Sequence, residues 1–337
     1  MTLSFPPFRP RLPWLGPDLQ TLRNTVAPPR PPLLSYPVER LLVPLADGSG
    51  DRLAGLLQRT HVPAPRGLVV LIHGLSGTED SAYMRRSAAA LLESGRNVLR
   101  LNLRGAGASR PFCRQQYHAG RTADLRDTLA ALDPALSASG LYLLGYSLGG
   151  SMLLKFLAEH GAAFRIQAAA AVSAPLDLAA AARRILAPRN RFYQSYLLRY
   201  MKEESLGDGA ELTDDERAHV HAARTIFEFD DRFVAPRNGY AGAPEYYADN
   251  SAARFLPAIR VPTLIVFALD DPWIPSDAYE RVAWSDNPNL TPLLSKRGGH
   301  VGFHDRGSPI PWHDRCVLTF FTTQGPTRAD VARALAD

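Results

Sequence analysis

Cysteine is almost absent. The 337 residues contain two, Cys113 and Cys316, too few for a disulfide framework or a zinc-finger ligand set, and neither sits in a CxxC pair. Lysine is nearly as scarce: 35 of the 38 basic residues are arginine, scattered among acidic neighbours without a basic block. The net charge of +5 therefore gives no electrostatic footprint for nucleic acid, and no nucleic-acid partner is expected. No apolar run reaches membrane-spanning length without a charge, and the amino terminus lacks a basic segment followed by an apolar one. A cytoplasmic protein with no integral membrane segment is the expectation. No repeat recurs at a fixed period.

What is present is core-forming sequence. The length suits one large α/β domain with an insertion, or two ordinary domains, and a hydrophobic content of 46% is ample for a sizeable core. Residues 1–40 hold 10 of the 28 prolines and read as an extended arm laid over the domain. Leu41 to Leu45 and Arg52 to Thr60, joined through Asp47-Gly48, read as a hairpin. From residue 67 short apolar runs alternate with amphipathic helices: strands at 67–73, 97–103, 141–146, 166–174, 261–269 and 290–294, and helices at 81–93, 122–132 and 314–322. That alternation implies a parallel sheet covered on both faces. Residues 177–250 break the pattern with arginine pairs and aromatics and read as an inserted cap, dividing the core into 41–176 and 251–337. Phe192, Tyr193, Tyr196, Leu197, Phe227 and Phe229 of this segment are candidates to line a pocket.

The stretch that carries chemistry is Gly145-Tyr146-Ser147-Leu148-Gly149, between an apolar strand and a helix that starts at once. A serine at the apex of such a turn is strained, and glycines two before and two after it let strand and helix approach. The turn aims the Leu148 amide and the positive end of the helix at the place where an oxyanion would form beside Ser147.

In an open parallel sheet reactive groups collect at the carboxyl ends of strands. Three loops there are informative. His73-Gly74-Leu75 offers the Leu75 amide as a second oxyanion donor, with His73 read as a structural histidine bonding backbone. Asp270-Asp271-Pro272 ends a strand with an acid pair, and Gly298-Gly299-His300 places a histidine after the last strand. Ser147, Asp270 or Asp271, and His300 follow in the order of a hydrolase triad, with His300 as base and the carboxylate orienting it. Gly105-Ala106-Gly107 lacks the third glycine of a dinucleotide fingerprint, Arg110 standing there, so no cofactor is expected. His300, His304, His313 and Asp305 fit no helical zinc motif, and no metal is expected.

The pieces His73-Gly74-Leu75, Arg104-Gly105, Tyr117-His118, Gly145 to Gly150, Tyr246-Tyr247, Asp270-Asp271-Pro272 and Gly298 to Phe303 resemble the YheT-type branch of the α/β-hydrolases. That branch is similar to abhydrolase-domain lipid hydrolases and medium-chain fatty-acid ethyl ester synthase/esterases. Phe8-Arg9-Pro10 and Leu19-Gln20-Thr21-Leu22 resemble its amino-terminal segment. The resemblance implies an α/β-hydrolase fold with a mostly parallel eight-stranded sheet, helices on both faces and an inserted helical cap. It also implies a serine carboxylesterase or acyltransferase on small-molecule, short- to medium-chain acyl esters, with Ser147 as nucleophile, Asp271 as acid and His300 as base.

Overall fold

The computed structural model describes residues 4–28 and 33–324. Residues 1–3 and 29–32 of the expected arm and 325–337 of the expected core lie outside the described residues. Eight strands form one sheet: β1 (Val38–Pro44), β2 (Arg52–Gln58), β3 (Leu68–Ile72), β4 (Asn97–Leu101), β5 (Leu141–Tyr146), β6 (Ile166–Val172), β7 (Thr263–Ala268) and β8 (Leu290–Ser295). Their spatial order is β1-β2-β4-β3-β5-β6-β7-β8. β1 and β2 form the antiparallel hairpin, β2 runs antiparallel to β4, and every later pairing is parallel.

All five residues of β3 and all six of β5 are buried, as strands covered on two faces must be. The pleat sorts them alternately. Leu68, Val70, Ile72, Leu141 and Leu143 join one core, which includes the helix Leu148–Glu159; Val69, Leu71, Tyr142 and Leu144 join the other, with the helices Ala82–Glu93 and Trp312–Gln324. Alanine is a poor strand former, yet Ala168 to Ala171 lie in β6, where β5 pairs with all four and β7 with Ala169 to Ala171. Ala168 and Ala170 share their core with Phe320 and Phe321.

Between β6 and β7 the chain forms the helices Leu178–Leu186, Arg191–Ser205, Asp214–Ala222 and Ala243–Asn250, with a π-helical turn at Asp230–Val234. Ile185, Leu197, Leu198, Met201, Val220, Ile226, Phe229 and Phe233 give this segment a core of its own.

The proline-rich arm is not extended throughout. Pro17–Val26 is a helix. Its single proline occupies the first helical position, where no amide hydrogen bond is lost, and the nine residues that follow contain no other. Phe8 meets Phe303 and Trp312 at ring-centroid distances of 5.9 and 5.6 Å, which anchors the arm beside the loop after β8. Among the described residues no helix is long and apolar enough to cross a membrane.

Candidate active site

Ser147 sits where β5 turns into the helix Leu148–Glu159, with φ 50° and ψ −124°. A positive φ is strained for any residue with a side chain. Gly145 and Gly149 make the turn possible: a Cβ on Gly145 would lie 2.6 Å from the Gly149 carbonyl oxygen, and one on Gly149 would strike the His73 carbonyl oxygen. The Ser147 amide is tied to the Val172 carbonyl at 2.9 Å, so the strand that follows in sequence holds the turn in place.

Three side chains from three loops meet here. The Ser147 hydroxyl lies 2.9 Å from His300 Nε2, and His300 Nδ1 lies 2.8 Å from Asp271 Oδ2. Asp271 is 2% exposed, and its Oδ1 accepts the amides of Trp273 and Ile274 at 2.8 and 3.1 Å. With Oδ2 accepting from Nδ1–H, the free lone pair of the imidazole is on Nε2, facing the Ser147 hydroxyl. Trp273 stacks on the His300 ring at 4.3 Å. Asp270 points elsewhere. Its Oδ1 accepts the Gly299 amide at 2.9 Å, which pins the histidine loop to the end of β7.

The amides of Leu75 and Leu148 donate to no group among the described residues, and both residues line the same cavity as Ser147. The loop carrying Leu75 is held from either side: Tyr83 hydroxyl accepts the Gly74 amide at 3.0 Å and Tyr117 hydroxyl accepts the Ser76 amide at 2.7 Å. His73 is fully buried; its Nδ1–H donates to the Gly74 carbonyl at 2.8 Å and its Nε2 accepts the Leu103 amide at 3.0 Å. Burial pushes its pKa down to about 4, so it stays neutral and structural. His304, Asp305 and His313 do not gather around His300: His304 Nδ1 meets Arg23, Asp305 accepts the Arg9 amide, and His313 lies against Asp314.

The cavity over Ser147 has a volume of about 480 Å³. Leu178, Ile185, Leu197, Met201 and Ile226 make part of its wall apolar, whereas Asn24, Thr25, Asp80 and Arg85 make another part polar. Of the six residues of 177–250 expected to line a pocket, Tyr196 and Leu197 do so. Phe192 is 85% exposed, Phe229 packs on Phe233 at 5.2 Å, Phe227 faces Tyr247 and Tyr193 stands edge-on to Trp273. Periodicity identifies apolar faces but not which of two apolar environments each face meets.

A family model described as alpha/beta hydrolase fold matches residues 67–307. The chain belongs to the α/β-hydrolase family. Within it, this hydrolase groups with the YheT branch: it is 34% identical over 238 residues to YheT of Escherichia coli (strain K12), a protein named as an esterase, covering 70% of each chain. It is 28% identical over 240 residues to the human phospholipase ABHD3, covering 71% of this chain and 59% of that one. It is 30% identical over 281 residues to medium-chain fatty acid ethyl ester synthase/esterase 2 of Saccharomyces cerevisiae, covering 76% and 62%. The hydrolase thus spans about three fifths of the length of these two eukaryotic relatives. Among solved structures, the Pyrococcus furiosus esterase Pf2001 shares the fold with a TM-score of 0.58 at 17% identity, over 86% of this chain and 94% of that one.

One neighbour of His300 carries no local signal of its own. Thr21, on the arm helix, accepts the backbone N–H of His300 at 2.9 Å. The signal in the sequence is its place in Leu19-Gln20-Thr21-Leu22, which resembles the family's amino-terminal segment.

Proposed function

We propose that this α/β hydrolase cleaves carboxylic esters of short- to medium-chain acyl groups through a covalent acyl-serine. The observation that carries the reading is the continuous chain Asp271–His300–Ser147, at 2.8 and 2.9 Å, opening on a cavity with an apolar wall. The esterase names of the E. coli and yeast relatives support the same reaction class.

In this mechanism Ser147 Oγ attacks the ester carbonyl carbon while His300 Nε2 takes its proton, and Asp271 stabilises the imidazolium. The carbonyl oxygen becomes an oxyanion that accepts the Leu75 and Leu148 amides at the start of the helix Leu148–Glu159. The tetrahedral centre collapses, the C–O bond to the alcohol breaks, and His300 returns its proton to the departing oxygen. Water then attacks the acyl-serine, its proton passing to His300 and on to Ser147 Oγ as the carboxylic acid leaves. An alcohol in place of that water yields a new ester, which is the acyltransferase side activity. Both cysteines are buried and free, in keeping with work in the reducing cytoplasm.

The test is hydrolysis of p-nitrophenyl esters of increasing acyl length by the pure protein, with Ser147→Ala as blank. Activity should fall by several orders of magnitude in the variant, and a fluorophosphonate should label Ser147. Unchanged hydrolysis in the variant, or labelling at another residue, refutes the assignment.

A further inference from the structure

Asp230 is the first residue of the π-helical turn Asp230–Val234, a local irregularity that is frequent at functional sites. It is 9% exposed and lines the cavity shared with Ser147. Its Oδ2 accepts the Tyr247 hydroxyl at 2.6 Å; its Oδ1 has no partner among the described residues. No lysine or arginine pairs with it among those residues, and the adjacent Asp231 accepts the Ala243 amide through Oδ1 at the start of the helix Ala243–Asn250. Burial pushes the Asp230 carboxyl up to about 7. Asp230 helps tie Asp230–Val234 to Ala243–Asn250 through Oδ2 alone, so its second oxygen is left over from the structural task.

We propose that Asp230 Oδ1 is a subsite for a hydroxyl group on the substrate, making this cavity selective for hydroxylated esters over purely hydrocarbon ones. The proposal rests on reading the cavity as the ester site. An ester with only hydrocarbon arms would cover the carboxyl without replacing its hydration, which costs the desolvation of an unpaired polar group. A hydroxyl restores a partner in either protonation state, donating to the carboxylate or accepting from the carboxylic acid. An ammonium group would be served by the ionised form alone, and would give up its hydration in a cavity whose wall includes Leu197, Met201 and Ile226, at a far larger desolvation cost. A site built around a hydroxyl discriminates strongly against analogues that lack it, because its own polar group is then left unpaired.

The experiment compares kcat/KM for propyl octanoate, 3-hydroxypropyl octanoate and propyl 8-hydroxyoctanoate, so the hydroxyl is offered on the alcohol side or at the acyl end. Wild type should prefer one hydroxylated ester by about tenfold or more. Asp230→Leu should abolish that ratio, and Asp230→Asn, which keeps the shape and an acceptor for Tyr247, should reduce it severalfold. A wild-type preference of unity, or a preference unchanged in both variants, overturns the subsite. Binding of the matching unreactive ethers to Ser147→Ala protein, by calorimetry, separates the two readings. Absence of hydrolysis of every ester refutes the esterase, while hydroxyl-selective ether binding that Asp230→Asn weakens upholds the subsite; ether binding blind to the hydroxyl overturns it.

Discussion

The hydroxyl of Thr21 accepts the backbone N–H of His300 at 2.9 Å, joining residues 279 positions apart. The same hydroxyl donates to the Pro17 carbonyl, Gln20 brackets His304 through its amide and carbonyl, and Asn24 holds the Val301 carbonyl at 3.1 Å. The loop so gripped is strained: Val301 and Phe303 have φ of 52° and 47°, values disfavoured for residues with bulky side chains. The arm helix therefore supplies hydrogen bonds that offset a costly backbone, and the imidazole is oriented from behind as well as by Asp271.

Removing the hydroxyl with Thr21→Val should leave the His300 amide unpaired and let the ring wander from Ser147. A lost hydrogen bond of about 1–1.5 kcal/mol corresponds to roughly a tenfold fall in kcat with KM little changed. Thr21→Ser should restore most of it. Equal losses in kcat for the valine and serine variants would show that packing, not the hydroxyl, matters.

The acid pair permits a direct comparison. Asp271 bonds His300, whereas Asp270 faces the backbone of the histidine loop, accepting the Gly299 amide through Oδ1. Asp271→Asn should lower kcat by about ten-thousandfold, since an amide donor facing Nδ1 selects the wrong tautomer. Asp270→Asn keeps an acceptor for Gly299 and should cost far less. The opposite ranking in steady-state kinetics would assign the role to Asp270.

The strands from β3 onward, the turn at Ser147 and the loop at His300 were legible because their signals are local: apolar runs of strand length, flanking glycines, and loops at strand ends. The residues alone leave Asp270 and Asp271 open, since two identical side chains differ only in which way the turn after Ala268 points them, and it is the family resemblance that selects Asp271. The helix Pro17–Val26 was masked by prolines on both sides, although a proline at the first helical position is compatible with the fold it takes. Its grip on His300 is a contact across almost the whole chain, and no window of sequence contains both partners.

Glu204, on the inserted segment, receives a hydrogen bond from Tyr117 at 3.2 Å, whose hydroxyl also takes the Ser76 amide of the Leu75 loop. Burial raises its carboxyl from an ordinary 4.5 to about 8, against the opposing effects of the Tyr117 bond and the Arg110 charge. A raised acid binds its proton more tightly in the folded state, so its contribution is intact below pH 4.5 and is lost as pH rises toward 8. Glu204→Gln removes that loss. Thermal unfolding of the variant relative to wild type should therefore show a Tm difference that grows in the variant's favour from pH 5 to pH 9; a difference constant across that window would mean that Glu204 does not titrate there.

The apolar wall contributed by residues 178–226 should make acyl length a kinetic variable. Each methylene moved from water into that wall contributes about 0.8 kcal/mol, close to fourfold in kcat/KM when the contact persists in the transition state. The rise should stop where the chain meets the end of a cavity of about 480 Å³. Ile185, Leu197 and Met201 belong both to the cavity lining and to the segment's own core, so shortening them trades stability for space. Leu197→Ala and Met201→Ala should each lower stability by about 2–5 kcal/mol, less whatever the already open cavity spares them, and should move the length cutoff toward longer acyl chains while short esters are still turned over. Phe192→Ala is the matched control, because an 85% exposed ring has neither cavity nor core to lose. If kcat/KM is flat from acetyl to dodecanoyl esters and the Leu197 and Met201 variants change Tm alone, the inserted segment is packing rather than recognition, and selectivity must come from the polar wall of Asn24, Thr25, Asp80 and Arg85.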